Sequence, residues 1–226
     1  MLLDIKHISY SLQKNLIKDL SFSIEENTVI SIIGYNGSKS TLLKLLLSIE
    51  PDATIIRSPD LNVGYVPQKL FDHQLPLTVR DFIQIYNTDT KQKSSFSCSI
   101  LNIKPILDIP LSLSGQLQKV LIYNALLGEP KILFLDEPTA GLDVLAQKEF
   151  YTLIEHVHQA HKVSIVLVSH DIHTVYSKSD SIICLHKGSC CTSPKDKEFS
   201  QEVSTLLGYV MPYVHSHDSS HNQIPS

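Results

Sequence analysis

Ile30-Ser31-Ile32-Ile33-Gly34-Tyr35-Asn36-Gly37-Ser38-Lys39-Ser40-Thr41-Leu42-Leu43 joins an apolar, β-branched run to a leucine-rich helix through a Gly/Asn-rich turn. That is the layout of a phosphate-binding loop. The turn aims successive backbone N–H groups inward, the helix N-terminus adds partial positive charge, and the Lys39 ammonium reaches the terminal phosphates. Ser40, directly after the lysine, is placed to ligate Mg²⁺. The full pattern has a glycine, four residues, then Gly-Lys-Ser/Thr. Here Lys39 follows only four residues after Gly34, and Ser38 stands where the second glycine belongs. On its own the stretch leaves an ordinary strand–turn–helix open.

Composition narrows the field. The 226 residues are 42% hydrophobic and 19% charged, which suits one globular domain with ample core. A net charge of −4 gives no broad basic face, so nucleic acid is not expected as a partner. No apolar run nears the roughly 20 residues that span a bilayer, and Met1-Leu2-Leu3-Asp4 lacks a signal-peptide layout. The expectation is a cytosolic chain whose membrane role comes through a partner. Cys98, Cys184, Cys190 and Cys191 lack zinc-ribbon spacing and read as reduced structural thiols.

Along the chain, residues 2–10 and Leu16 to Ile24 read as strands. Thr28 to Ile33 reads as a buried parallel strand, and Ser40 to Ser48 as a helix buried nearly all round. Pro51 to Asp60 reads as a connector and Asn62 to Val66 as a short strand ended by Pro67-Gln68. Thr78 caps a helix, with Asp81 three residues on. Residues 87–99 read as a loop. Leu111 to Gln116 leads into a helix with Leu117, Val120, Leu121 and Asn124 on one face. Ile132 to Asp136 is an apolar strand ending in acids. Residues 143–160 are a helix with Ala146, Phe150, Leu153, Ile154 and Val157 inward. Val163 to Val168 is another buried strand, and Ser181 to His186 the last clear one. His156, His158 and His161 sit at a helix end, where a cation is favoured. The tail after Tyr213 carries His215, His217 and His221, a weak candidate for zinc beside the simpler reading of a solvated end.

Strands alternating with helices mean a parallel α/β sheet, in which ligands sit outside the strands' carboxyl ends. Lys39, Ser40, Gln68, Asp136, Glu137 and His170 would converge on that edge. Asp136 would hold Mg²⁺ and Glu137 would polarise an attacking water. The competing reading is a strand-end acid pair that caps the next helix.

Leu113-Ser114-Gly115-Gln116, Asp136-Glu137-Pro138-Thr139-Ala140-Gly141-Leu142-Asp143 and Val168-Ser169-His170-Asp171 together resemble the ATPase subunits of ABC transporters, in order and spacing, over nearly the whole chain. The resemblance implies a P-loop NTPase with a RecA-like parallel-sheet core, an N-terminal antiparallel β part and a helical subdomain. It implies one domain over 1–226, the helical signature subdomain at 76–129, and a flexible tail at 214–226. ATP and Mg²⁺ are the implied cofactors. Gly34, Tyr35, Asn36, Gly37, Ser38, Lys39, Ser40 and Thr41 match the phosphate loop. Gln68 matches the residue that senses Mg²⁺ and touches the permease, so Ser40, Gln68 and Asp136 form the implied metal set. Ser114, Gly115 and Gln116 match the signature loop that completes the ATP site of a second subunit. Asp143 matches the acid of the loop after Glu137, and His170 the switch histidine. Two chains would form a homodimer clamped by the γ-phosphate.

Gly64-Tyr65-Val66-Pro67-Gln68-Lys69-Leu70, Leu75-Pro76-Leu77-Thr78-Val79, Cys184-Leu185 and Cys190-Cys191 further resemble the ATPases of bacterial zinc importers. That likeness implies import of a divalent metal ion, zinc. It also implies an integral membrane permease, an extracytoplasmic metal-binding protein and a place on the cytoplasmic face of the inner membrane. Three glycines of the family pattern are missing: one in the phosphate loop, one in the signature and one near Leu12-Gln13-Lys14. The adenine-stacking ring is absent at the last of these, with Tyr10 its candidate substitute. A position error near 1 Å can cost about 10²-fold in rate, and Ser38 stands where a glycine backbone would suit. The expectation is therefore weakened turnover, with a hydrolysis-impaired structural or regulatory subunit as the alternative.

Overall fold

The computed structural model describes residues 1–12, 15–34, 37–47, 55–68, 77–87, 101–111, 114–171, 175, 177–186 and 189–194. The 214–226 tail, Tyr35, Asn36 and residues 88–99 of the expected loop lie outside them.

Two sheets organise the described residues. The first is antiparallel, in the order β2-β1-β4, from β1 (Leu3–Leu12), β2 (Asn15–Ile24) and β4 (Ile55–Arg57). The second has six strands in the order β5-β6-β7-β3-β8-β9. They are β3 (Val29–Gly34), β5 (Val63–Val66), β6 (Ile132–Asp136), β7 (Ser164–Val168), β8 (Ser181–His186) and β9 (Ser189–Pro194). All neighbouring pairs in it are parallel except β8 with β9. The expected parallel α/β core is therefore present, joined to an N-terminal antiparallel sheet.

Alternation along the strands explains the layers. Ile30 and Ile32, Ile132 and Phe134, Val166 and Val168, and Ile183 and Leu185 enter one apolar cluster with α1 (Ser38–Leu47) and the β1-β2 hairpin. Ile33, Leu133 and Leu135, Ile165 and Leu167, and Ile182 and Cys184 enter the opposite cluster. That second cluster is closed by α2 (Val79–Asn87), α3 (Ser114–Leu126) and α4 (Val144–His161). A strand apolar on both faces must be covered on both, and each such side chain contributes about 1.5–3 kcal/mol over its exposed state.

The expected helical stretch from 76 to 129 contains α2, a 3₁₀ turn at Lys104–Ile106, and α3. Thr78 and Asp81 close a reciprocal cap at the start of α2: Asp81 N–H donates to Thr78 Oγ1 over 3.1 Å and Thr78 N–H to Asp81 Oδ2 over 3.0 Å. Phe82, Ile103, Leu111 and Val120 are buried in the same cluster as the main sheet, so this stretch shares the core.

Some expectations need correction. Pro51 to Asp60 is more than a connector, because Ile55–Arg57 pairs with Leu3, Asp4 and Ile5. Ser181–His186 is not the last strand; Ser189–Pro194, with Cys190 and Cys191, pairs back on it. The α1 helix begins at Ser38, two residues before the expected Ser40. Only Leu42, Leu43 and Leu46 of its leucines are buried outright, while Leu45 and Leu47 are half-buried.

Candidate active site

Parallel register brings the expected residues to one edge. Asp136 pairs with Val168, and Ile32 pairs with Val168 on its other side. Gly34, Asp136 and the residues after Val168 therefore leave adjacent strands at the same end. Gly34 is held by close packing: a Cβ there would lie 2.6 Å from the Leu185 carbonyl oxygen and 2.8 Å from its Cβ. Gly37, at φ 91°, makes the last bend before α1. Ser38 is helical, so the expected need for a glycine-like backbone angle at Ser38 is not met. Thr41 N–H and its hydroxyl both return to the Gly37 carbonyl, at 3.1 and 2.8 Å.

Lys39 lies in the first turn of α1 and is 3% exposed. Its Nζ is 2.8 Å from Glu137 Oε1. His170 donates Nδ1–H to Glu137 Oε2 over 2.5 Å. Glu137 thus bridges the turn after β3 and the loop after β7, and its own N–H donates to Val168 O over 3.0 Å. Its backbone sits at φ 46°, a left-handed conformation that costs a glutamate about 1–3 kcal/mol and is typical of functional sites. Burial alone would push the Glu137 carboxyl up, but Lys39 and His170 outweigh it and hold the carboxyl below its usual range.

Asp136 is in the opposite state. Burial first, and then the Glu137 charge, raise its pKa. Burial and then the Asp136 charge raise the Tyr65 phenol in turn. Tyr65 pairs with Phe134 across β5 and β6, which puts it on the Asp136 face of the sheet. Among the described residues, the buried Asp136 Oδ1 has no hydrogen-bond partner, and the buried Lys39 Nζ has none apart from its ion pair. A buried carboxylate oxygen and a buried ammonium left in this way suit a hard cation and a phosphate oxygen. The donor set therefore fits Mg²⁺ with a polyphosphate.

The remaining expected residues are placed as follows. Ser40 is half-buried in α1, and Gln68 is exposed just beyond β5. Ser114, Gly115 and Gln116 form the first turn of α3 rather than a loop before it. Asp143 caps α4, accepting the Ala146 N–H over 2.8 Å. Tyr10 pairs with Ile17 and packs half-buried on the α1-side cluster. At the end of α4, burial and then His156 push His161 down, so the expected cation is disfavoured at that position, and His158 Nδ1–H donates to Val163 O over 2.8 Å.

Sequence reasoning passed over Tyr65, Gln118, Tyr151 and Ser169. Gln118 of α3 donates Nε2–H to the Pro138 carbonyl. Only the register of β5 on β6 could have suggested Tyr65.

A P-loop edge with a buried lysine, paired acids and a facing histidine defines a nucleoside-triphosphate-binding α/β protein. The family model described as ABC transporter matches residues 17–140. The zinc import ATP-binding protein ZnuC of Buchnera aphidicola subsp. Schizaphis graminum is 38% identical, covering 95% of each chain. Its namesake in Rickettsia conorii is 33% identical over 97% of this chain and 98% of its own. The chain belongs to the ABC transporter ATP-binding family. The fold is also that of cbiO1 from Clostridium perfringens, with a TM-score of 0.76, 23% identity, and coverage of 92% and 96% of the two chains. A dimeric ATP-binding cassette bound to ADP and Pi gives a TM-score of 0.65 at 22% identity, covering 86% of this chain and 99% of its own.

Proposed function

We propose that this ABC ATPase is the energising subunit of an importer for a divalent metal ion, zinc, and that its ATP site is the edge built by Lys39, Asp136, Glu137 and His170. The observation that carries the site is the cluster itself: Lys39 and His170 on the two oxygens of Glu137, beside an Asp136 oxygen with no partner. Zinc as cargo is supported by relatives 33–39% identical over most of their length, each named a zinc import ATP-binding protein.

Lys39 and the N–H groups opening α1 hold the phosphates. Asp136, Ser40 and Gln68 hold Mg²⁺, which when bound neutralises phosphate charge. Glu137 accepts the proton of a water as its oxygen attacks the γ-phosphorus and the bond to ADP breaks. Its lowered pKa keeps it ionised for that task. His170 holds Glu137 and steadies the departing phosphate. Ser114, Gly115 and Gln116 serve the site of a second copy. No helix among the described residues is long and apolar enough to cross a membrane. The names of the relatives, zinc import ATP-binding proteins, support a separate permease as the transport path, with this chain on its cytoplasmic face and an extracytoplasmic protein delivering the metal.

Turnover is weakened by the two shortened loops and not abolished, because Lys39, Asp136, Glu137 and His170 still meet. A fluorescent ATP analogue at millimolar Mg²⁺ should bind the full chain, and Lys39→Ala should remove that binding. No Lys39-dependent binding would overturn the site. Loss of the gene should slow growth under zinc limitation, with rescue by added zinc; rescue by manganese instead would reassign the cargo.

A further inference from the structure

Glu137 opens a tight turn whose backbone is fastened at successive points. Its N–H donates to Val168 O at 3.0 Å, and its carbonyl accepts the Ala140 N–H at 3.1 Å. The Thr139 carbonyl accepts the Leu142 N–H at 3.2 Å. Between these two carbonyls lies that of Pro138, a buried residue with no N–H of its own to hold it. A carbonyl buried there needs a donor, and leaving it without one costs about 1–3 kcal/mol. Gln118 supplies it. The half-buried side chain reaches across from α3, and its Nε2–H donates to Pro138 O.

What matters is where that donor is anchored. α3 opens at Ser114-Gly115-Gln116, and Gln118 stands four residues after Ser114, about one helical turn along. The stretch before α3 is clasped to the start of α2. Val79 N–H donates to Ile109 O at 3.1 Å, Arg80 N–H to Leu107 O at 2.8 Å, and Leu111 N–H to Leu77 O at 2.9 Å. The Arg80 guanidinium adds a two-pronged ion pair with Asp108, at 2.9 and 3.2 Å. Val79, Phe82, Leu111 and Val120 bury these pieces in one apolar cluster. On the other side of the bond, Glu137 is at φ 46°, a conformation that persists only where the surroundings hold it. The Gln118 amide fixes the planar Pro138–Thr139 peptide, one residue beyond the acid, against α3.

We propose that Gln118 is a positioning residue for ATP hydrolysis: its amide holds the Pro138 carbonyl, so the place of the Glu137 carboxylate is set by α3, the helix that Ser114, Gly115 and Gln116 open. This rests on the ATPase reading above. The tie acts on the step in which Glu137 accepts the water proton. It does not act on ATP capture, which belongs to Lys39 and the start of α1. Small displacements of a reacting group cost rate steeply, about 10²-fold for 1 Å.

The test is steady-state hydrolysis by the full chain with Mg-ATP, alongside thermal unfolding and fluorescent-ATP binding. Gln118→Met keeps the length of the side chain and removes the donor. It should lower kcat about tenfold, with KM for ATP and nucleotide affinity within twofold and the melting temperature down by about 10 °C at most. Gln118→Lys, a donor of similar reach, should bring the rate back to within threefold of the unaltered chain. The Glu137→Gln/Gln118→Met pair should be no slower than Glu137→Gln alone, because both changes act on one step. A Gln118→Met rate within twofold of the unaltered chain overturns the proposal. So does a fall in kcat that comes with lost nucleotide binding or a collapsed melting temperature, or one that Gln118→Lys fails to relieve. Glu137→Gln separates the two readings. If the unaltered chain shows no hydrolysis that Glu137→Gln removes, the ATPase reading fails and the tie with it. If it does and Gln118→Met is silent, only the tie fails.

Discussion

At the scale of single residues, the two adjacent acids divide their work by environment. Asp136 and Glu137 are neighbours in sequence, yet one pKa is raised and the other lowered. Glu137 has Lys39 and His170; Asp136 has burial, a like charge beside it and an oxygen without a partner. Asp136 is thus a destabilising group, which suits the cation-holding role proposed for it. The sign follows from linkage. Unfolded, its carboxyl ionises near pH 4, whereas folded it keeps its proton to higher pH. Rising pH therefore favours the unfolded chain across that interval. Asp136→Asn should stabilise the nucleotide-free protein at pH 7.5 by about 0.5–2 kcal/mol and abolish Mg²⁺-dependent ATP binding. The gain should shrink at pH 4.5 and vanish below the ordinary aspartate range. Urea unfolding at the two pH values checks this; a gain that is larger in acid would contradict it.

At the scale of elements, the junction of β3 and α1 decides how well phosphate is held. Three residues, 35–37, separate Gly34 from the first helical residue. The helix begins at Ser38 and keeps Lys39 in its first turn, while the sequence between Gly34 and Lys39 is one residue shorter than the full pattern. Inserting a glycine between Ser38 and Lys39, with a second between Ser114 and Gly115, should raise kcat tenfold or more in a steady-state assay with Mg-ATP. An unchanged or lower rate would mean that the shortened loops are already fitted to each other.

The elements also mark what the sequence made legible. β3, β6, β7 and β8 announce themselves as apolar runs because both faces of the sheet are covered. β4 and β9 do not. Ile55-Ile56-Arg57 is too short to show a period, and Ser189-Cys190-Cys191-Thr192-Ser193-Pro194 has no alternation; each is a strand because β1 or β8 offers it an edge. The same limit applies to the site. Lys39, Asp136, Glu137 and His170 stand at strand ends, which topology alone brings together. Tyr65 on the Asp136 face, and Tyr151 against Thr139, depend on register and helix rotation, which residue types do not encode locally.

At the scale of the whole molecule, one copy leaves its site open beside bare apolar surface. Asp143 caps α4 from the loop that follows Glu137, and the next two residues, Val144 and Leu145, are 84% and 68% exposed. Two such side chains side by side at a helix start, next to a charged site, suit a contact with a second copy. Triphosphate held between two copies would close them, and its cleavage would release them. Blocking cleavage while keeping capture should therefore trap the closed pair. Glu137→Gln with ATP and Mg²⁺ should elute from a sizing column at twice the 25.3 kDa of the single chain. The same variant without nucleotide, or with Lys39→Ala added, should elute as one chain. Leu145→Asp in the Glu137→Gln background should also prevent the pair, while each single copy still binds ATP through Lys39. A Glu137→Gln chain that stays single at saturating ATP would separate nucleotide capture from dimer closure and place the force for transport in contacts with the permease alone.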